Sequence, residues 1–298
     1  MDHDLYAFWP DTQRPEWPLP DGAKIAVFVL LHIEHWELNP PPGSYSDPRF
    51  HGVYGNFAPD YWRWSYRLYG NRVGIHRILR VLDAFGIRAT VAFNAMAIEL
   101  YPDLVEAVRE RPGWEPVAHG IAATRMITSR MSETQERAHI LRARDAVALA
   151  FGEPPQGWAG QDHGATARTS QLLAEAGFSY TLDWPNDERP YPHRADRRLL
   201  AVPTQPDWDD VQALWLRRVP LHRYPDLVAE AAEEMSESVP AGRVLCLGLH
   251  PWMMGAPHRT VYLRRALERI RERRDVWFAT AGEIAAQYRA SAPTGPAG

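Results

Sequence analysis

The sequence has almost no cysteine, no apolar run of membrane-spanning length and no large excess of charge. The single cysteine of the 298 residues, Cys246, lies in an apolar stretch, which excludes an intramolecular disulfide and a thiolate metal cluster. Lysine and arginine total 33 against 37 acidic residues, so the net charge is −4. Without a basic patch or a long basic run, binding to nucleic acid or to a membrane surface is not expected.

The N-terminal residues also lack the charged region and the apolar region of a secretory signal. A cytoplasmic protein is therefore expected. The length suits one large α/β domain, and a hydrophobic content of 45% is ordinary for a globular protein. The sequence predicts an extended Pro- and Trp-rich arm over 1–23, a single domain over 24–290 and a flexible tail over 291–298.

Apolar strand patterns alternate with amphipathic helix patterns along the chain about seven times, which predicts an α/β fold. The predicted strands are 24–31, 87–93, 114–118, 178–182, 199–203, 244–249 and 276–279. The predicted helices are 72–85, 102–111, a helix starting at Ser132, and then 166–176, 224–235, 260–273 and 281–288. At this length the alternation predicts one mostly closed barrel of about seven parallel strands.

Four of the predicted strands end in polar, titratable side chains. Because the carboxyl ends of parallel barrel strands share one face, these side chains are expected to meet in one pocket. They are His32 and Glu34, His119, Asp183 with Asp187, and His250. Such a cluster suits either a Zn²⁺ site with an open position or metal-free general acid–base chemistry. Asp187 has an alternative role, since Asp in a turn commonly caps backbone amides.

Residues around these strand ends are predicted to contact a substrate. The set comprises Trp36, His163, Trp184, Asp187, Trp252 and His258, and Arg259 is a candidate for stabilising an oxyanion. His258 and Arg259 are expected in a short loop after His250. A long irregular segment, 38–71, is rich in aromatic residues and is expected to be a lid, a binding loop or a subunit contact. Its aromatics predict a homo-oligomer, a dimer or a tetramer.

Five segments carry a resemblance to a known family: HIEHWE, YGNRVGIHRILRVLDAFGIRATVAFN, PVAHG, LLAEAGFSYTLDWPNDERPY and LHPWMMGAPHR. They resemble the polysaccharide deacetylase (NodB-homology, carbohydrate esterase family 4) superfamily over about 24–288. Within it they are most similar to the branch with allantoinase-like and cyclic imide hydrolase-like enzymes and a peptidoglycan deacetylase. The resemblance implies a deformed (β/α) barrel.

The resemblance also implies roles for individual residues. Metal-dependent members have two acidic residues at the end of the first strand, one a base and one a metal ligand, where this chain has His32 and Glu34. They have two histidines spaced HxxxH, where this chain has His119 and Ala123. Their arginine–proline motif is replaced by residues 160–163. The general-acid histidine is kept as His250.

Glu34 and His119 are thus expected metal ligands, and the third ligand is missing unless His32 or His163 supplies it. The metal would be Zn²⁺ or another divalent ion, and a metal-independent reaction is the alternative. Asp183 is grouped with His32, His250 and Arg259 as a catalytic candidate.

The resulting hypothesis is a hydrolase of non-peptide C–N bonds that acts on a small, cyclic amide, ureide or imide. Water activated by His32, or by a metal at Glu34 and His119, attacks the carbonyl, and His250 protonates the leaving nitrogen. Two alternatives stay open. One is N-deacetylation of an amino sugar or of peptidoglycan, and the other is a non-catalytic barrel that binds a small ligand at a broken metal site.

Overall fold

The computed structural model describes residues 3–45, 49, 59–238 and 240–291, and within them the chain forms one nine-stranded sheet. The strands are β1 (Ile25–Ile33), β2 (Ala89–Phe93), β3 (Glu115–Ala118), β4 (Gly157–Trp158), β5 (Tyr180–Thr181), β6 (Tyr191–Pro192), β7 (Leu200–Ala201), β8 (Arg243–Leu249) and β9 (Val276–Phe278). The prediction of seven strands missed β4 and β6. Each has two residues, too few for a period-two pattern to show.

The sheet is curled and mostly parallel, in the order β6-β7-β5-β4-β3-β2-β1-β8, with β9 paired to β1. The pair β6–β7 is antiparallel. With helices packed around it, the sheet forms a half-barrel, so the predicted deformed (β/α) barrel is confirmed.

Strand β1 is the centre of the sheet. It pairs with β8 from Ile25 to Leu31 and with β2 from Val29 to Ile33. All nine of its residues are buried, which explains why its sequence is an almost continuous apolar run. The strand extends two residues beyond the predicted end, so His32 belongs to the strand itself.

Ten α-helices lie in the described residues. They are α1 (Tyr61–Tyr69), α2 (Ile75–Phe85), α3 (Ala95–Leu100), α4 (Pro102–Arg109), α5 (Glu133–Phe151), α6 (Thr169–Glu175), α7 (Tyr224–Glu237), α8 (Pro251–Met254), α9 (Pro257–Arg271) and α10 (Ala281–Ser291). The predicted capping box at the start of α5 is confirmed, with Ser132 and Gln135 bonded reciprocally.

Two predictions around the pocket are wrong in their local structure. The segment 38–71 is not irregular throughout, because it contains α1, which continues through the π-helical turn Gly70–Gly74 into α2. His258 and Arg259 lie in the first turn of α9 rather than in a loop, because Pro257 starts that helix at its first position.

Side chains bond to the outer edge of β8. Gln205 Nε2 donates to the Val244 carbonyl at 2.8 Å, and its Oε1 accepts from the Cys246 amide at 3.0 Å. Trp208 Nε1 donates to the Cys246 carbonyl at 2.8 Å. These bonds replace a neighbouring strand and hold residues 205–210 beside the end of β8.

The predicted arm packs on the barrel. Trp17 is buried and its amide donates to the Ala241 carbonyl, while Arg14 pairs with Asp187. Of the aromatic segment, residues 46–48 and 50–58 lie outside the described residues, as do residues 292–298 of the predicted tail. No helix in the described parts of the chain is long and apolar enough to span a bilayer.

Candidate active site

The carboxyl ends of β1, β3 and β8 meet at a cavity of about 90 Å³, as the strand-end pattern predicts. Its lining includes His32, Glu34, His119, Gln161, Asp209 and His250. His32 and Glu34 come from the end of β1, His119 follows β3, and His250 follows β8. Residues far apart in sequence are therefore brought together by the parallel register of the strands.

His32, Glu34 and His119 direct three possible ligand atoms at one another. His32 Nδ1 lies 3.3 Å from His119 Nε2, and His119 Nε2 lies 3.4 Å from Glu34 Oε1. His119 Nδ1 is 2.6 Å from the Ala159 carbonyl, which fixes the proton on Nδ1 and leaves Nε2 as a lone pair facing the other two atoms. All three residues are buried.

This donor set fits a divalent metal ion. A tetrahedral site with metal–nitrogen bonds of about 2.0–2.1 Å has ligand-to-ligand edges of about 3.3–3.4 Å. The edges from His119 to His32 and to Glu34 have these lengths, and all three ligand atoms lie within 4.8 Å of one another. The hydrogen bonds made by His119 and Glu34 to neighbouring residues also fit a metal site. The Ala159 carbonyl orients His119, and Gln161 Nε2 donates to Glu34 Oε1 at 2.7 Å.

The environment also sets the protonation states that a metal needs. Burial alone raises the pKa of Glu34, but the neighbouring imidazoles, His119 and His250 above all, outweigh it and hold that pKa far below its usual range. Burial lowers the pKa of His32 well below its ordinary value, and His250 and His119 act in the same direction. The pair is therefore an ionised carboxylate and a neutral imidazole.

Ala123 carries no side-chain atom that could bind a metal. It is fully buried and packs in a cluster with Trp36 and Trp252, and its amide donates to the His35 carbonyl at 2.9 Å. His32 therefore stands third with Glu34 and His119, whereas His163 lines the cavity outside this group.

His250 has a different set of partners on the other side of the cavity. Its Nδ1 lies 2.7 Å from Asp210 Oδ1, and its backbone amide donates to Asp210 Oδ2 at 2.8 Å. Burial lowers the pKa of His250, but the charges of Asp210 and Asp209 outweigh it and raise the pKa to about 9. The ring is thus an imidazolium, bonded through Nδ1 and able to donate from Nε2.

Asp209 is a second carboxylate beside His250, with Oδ2 3.8 Å from its Nδ1. Burial raises the pKa of Asp209 to about 6. Gly248 makes its approach possible, because a Cβ there would lie 2.2 Å from Asp209 Oδ2. The sequence prediction missed Asp209 and Asp210. The adjacent acidic pair in PDWDD is the signal that was available.

The loop of residues 160–164 closes the cavity opposite β8. Gln161 accepts from Asn94 Nδ2 at 3.3 Å and donates to Glu34, which links two strand ends. Asp162 and His163 both have positive φ, a conformation that costs energy for residues other than glycine. Both residues line the cavity, so the strained backbone of this loop holds their side chains at its wall.

Asp183 supports this loop from behind. Its Oδ1 accepts from the Gly160 amide at 2.5 Å, and burial raises its pKa to about 7. It does not appear among the residues that line the cavity. The placement indicates a positioning role for Asp183 rather than direct contact with a substrate.

The structure places the other predicted residues outside the cavity lining. Trp184 packs on Tyr6 and Tyr191, and Asp187 pairs with Arg14 and accepts from the amides of Glu188 and Arg189. The turn-capping role of Asp187 is thus the one that its contacts show. His258 is exposed at the start of α9, and Arg259 Nη1 bonds to Tyr66 and to the Met253 carbonyl, both at 3.3 Å.

Residues 69–181 match the model of the polysaccharide deacetylase family. The structure is similar to that of PuuE allantoinase, with 26% identity, a TM-score of 0.80, and coverage of 94% of this chain and 95% of that one. The predicted resemblance to the polysaccharide deacetylase superfamily is confirmed. A Pseudomonas aeruginosa protein described as a polysaccharide deacetylase has 24% identity and a TM-score of 0.80, with coverage of 94% and 96%.

A Mycobacterium smegmatis protein with the same description has 24% identity and a TM-score of 0.76, with coverage of 95% and 99%. These two likenesses show the shared fold. A comparison with curated protein sequences finds no match. The chain thus has the fold, and over 69–181 the sequence pattern, of the polysaccharide deacetylase family of hydrolases.

Proposed function

We propose that this protein hydrolyses the C–N bond of a small cyclic amide, ureide or imide. The observation that carries the proposal is the presence, in one small cavity, of the metal-fitting group His32, Glu34 and His119 beside the imidazolium of His250. The ring of His250 lies parallel to that of His32, with centroids 4.2 Å apart. An electrophilic side and a proton-donating side therefore adjoin, as amide hydrolysis requires.

A divalent metal bound by His32, Glu34 and His119 would polarise the carbonyl and acidify a bound water. The protein residues supply the proton transfers. Asp209, with a pKa of about 6, is ionised at neutral pH and suited to accept a proton. His250 keeps a proton on Nε2 and donates it to the leaving nitrogen, while Asp210 holds the ring through Nδ1.

The size of the cavity favours a small substrate over a sugar polymer. A volume of about 90 Å³ and a wall formed by the loop 160–164 suit a compact, planar ring. The fold shared with an allantoinase over 94% of this chain agrees with a ureide or a related ring.

N-deacetylation of an amino sugar is the second candidate, favoured by the family that residues 69–181 match. The test is a parallel assay with hydantoin, dihydrouracil, succinimide and N-acetylated chito-oligosaccharides. Ring opening is followed by the loss of ultraviolet absorbance and deacetylation by acetate release. Ring opening that is abolished in His250→Ala supports the proposal. Acetate release without ring opening supports the second candidate. If metal-loaded protein shows neither ring opening nor acetate release, both candidates are contradicted.

We also propose a homo-oligomer built around the start of α1, where Tyr61 and Trp62 are 63% and 50% exposed. Light scattering at micromolar concentration tests it. A monomeric mass in wild type contradicts the proposal, whereas a dimer or tetramer that dissociates in Trp62→Glu supports it.

A further inference from the structure

Gln212 lines the cavity with a carboxamide that is open to a bound molecule. Two other glutamines of the lining are already in use, since Gln161 donates to Glu34 and Gln205 bonds to the backbone of β8. Within the described part of the chain, Gln212 makes hydrogen bonds through its backbone only. Its Oε1 and Nε2 are not sealed from solvent, so both atoms can bond to a molecule in the cavity.

The backbone that carries this carboxamide is fixed on both sides. The Gln212 amide donates to Asp209 Oδ1 at 2.9 Å, and its carbonyl accepts from the Arg217 amide at 2.9 Å. The neighbours Val211 and Ala213 are buried in the π-helical stretch to which Gln212 belongs. A short π-helical segment is frequent at functional sites. A rigid support thus presents a side chain that the fold itself does not use.

The functional groups of the cavity stand in a row that follows the order of the sheet. The metal-fitting group stands at the ends of β3 and β1, His250 at the end of β8, and residues 205–210 on the outer side of β8. Gln212 is bonded to Asp209 of that segment, whose Oδ2 lies 3.8 Å from His250 Nδ1. The cavity therefore presents the metal-fitting group, the proton donor and the carboxamide in this order.

A carboxamide distinguishes the amide of a small ring from an open-chain amide. A small ring forces its amide into the cis form, in which N–H and C=O lie side by side. An open-chain amide is trans, and its N–H and C=O point to opposite sides. A carboxamide also presents a donor and an acceptor side by side, so it can pair with a cis amide through two hydrogen bonds. Glutamine pairs with the edge of adenine in the same two-point way.

We propose that Gln212 is a specificity-determining residue that recognises a second cis amide of the substrate, the one that is not cleaved. The proposal rests on the proposed hydrolysis at this site and narrows its substrate class to cyclic ureides. The atoms of such a ring follow in the order of scissile carbonyl, leaving N–H, second carbonyl and second N–H. That order matches the row of metal-fitting group, His250 and Gln212. Nε2 would donate to the second carbonyl, and Oε1 would accept from the second N–H.

The test uses two pairs of rings that differ only in the second N–H. Succinimide has a CH₂ group in place of this N–H of hydantoin, and glutarimide has one in place of that of dihydrouracil. Kd is measured by calorimetry on the chelated full chain, and kcat/KM after loading with Zn²⁺. We expect wild type to prefer each ureide about fivefold, the effect of one neutral hydrogen bond. A preference in one pair supports the proposal for that ring size, and a preference in neither pair overturns it.

A variant separates recognition from other causes of the preference. Gln212→Met nearly keeps the length of the side chain and removes both hydrogen-bonding atoms. The preference for the ureides is expected to fall to near one, because their Kd rises more than that of the CH₂ rings. Gln171→Met is the matched control, since Gln171 is exposed on α6 and bonds to Glu175 at 2.9 Å. It should keep the wild-type preference. An unchanged preference in folded Gln212→Met overturns the proposal.

The two proposals fail in different ways. Ring opening with equal kcat/KM within both pairs supports the hydrolase and contradicts the role of Gln212. A preference in Kd that depends on Gln212, without opening of any ring, supports recognition by the carboxamide and contradicts the hydrolase. If the protein neither binds nor opens any of the four rings, both proposals are contradicted.

Discussion

The two sides of the cavity use the same residue type in opposite ways. His32 and His250 both stand at the ends of neighbouring strands and stack with centroids 4.2 Å apart, yet the pKa of His32 is lowered and that of His250 is raised to about 9. His32 faces other imidazoles, whereas His250 faces the carboxylates of Asp209 and Asp210. A strand end supplies the position of a histidine, and its partners decide whether it becomes a ligand or an acid.

The largest effect is expected from removing the carboxylate of Glu34, which belongs to the metal-fitting group with His32 and His119. Glu34→Ala should reduce bound divalent metal from about one per chain to near zero and abolish turnover, because two neutral imidazoles alone bind such an ion weakly. Elemental analysis after gel filtration measures the metal. Glu37→Ala is the control, since Glu37 pairs with Arg125 away from the donor group. Full metal content in Glu34→Ala would show that Glu34 is not a metal ligand.

Removing the imidazole of His250, the proposed proton donor, should leave the metal in place. His250→Ala is expected to lower kcat by about 10²–10⁴, the usual contribution of a positioned proton donor, with unchanged metal content. His258→Ala, an exposed histidine eight residues later, serves as the control and should keep wild-type rates. If His250→Ala also lost the metal, the division of the cavity into two sides would be wrong.

A pH profile sharpens the contrast between the histidines. With the pKa of His250 at about 9, the acid form persists to mildly alkaline pH, and kcat should fall only as the pH rises through about 9. In Asp210→Asn burial prevails, the pKa drops and the alkaline limb moves to lower pH. Activity should therefore be lost more at pH 8 than at pH 6. An unmoved limb would show that another group is the acid.

The smallest effect concerns Asp183 behind the loop of residues 160–164. Its pKa is raised to about 7, so the folded state binds a proton more tightly than the unfolded chain does. The contribution of Asp183 to the free energy of unfolding should be fully present at low pH and should decline as the pH rises from about 4 to 7. Asp183→Asn should flatten this part of the profile of Tm against pH. A parallel decline in both proteins would contradict the assignment.

The sequence predicted the β1, β3 and β8 ends of the site because each combines a clear apolar run with a polar terminus. His32, Glu34, His119 and His250 could be found in this way, since parallel strands bring their ends together. The resemblance to the superfamily added the roles. The mixed edge formed by β6 was not predictable from two-residue strands.

The residues that were missed reach the cavity from segments without a regular period. Asp209 and Asp210 directly precede a π-helical stretch, Val211–Leu216. Trp184, Asp187 and His258 follow strand ends closely in sequence but lie outside the cavity lining, because closeness in sequence does not fix the direction of a side chain.

The Gln205 side chain at the edge of β8 makes the movement of residues 205–210 measurable. Cys246 N–H is held by this one amide side chain rather than by a neighbouring strand, so it exchanges with solvent only when residues 205–210 move away. The same displacement carries Asp209 and Asp210 off His250. Deuterium uptake at the Cys246 amide therefore reports the opening motion that separates His250 from its two carboxylates.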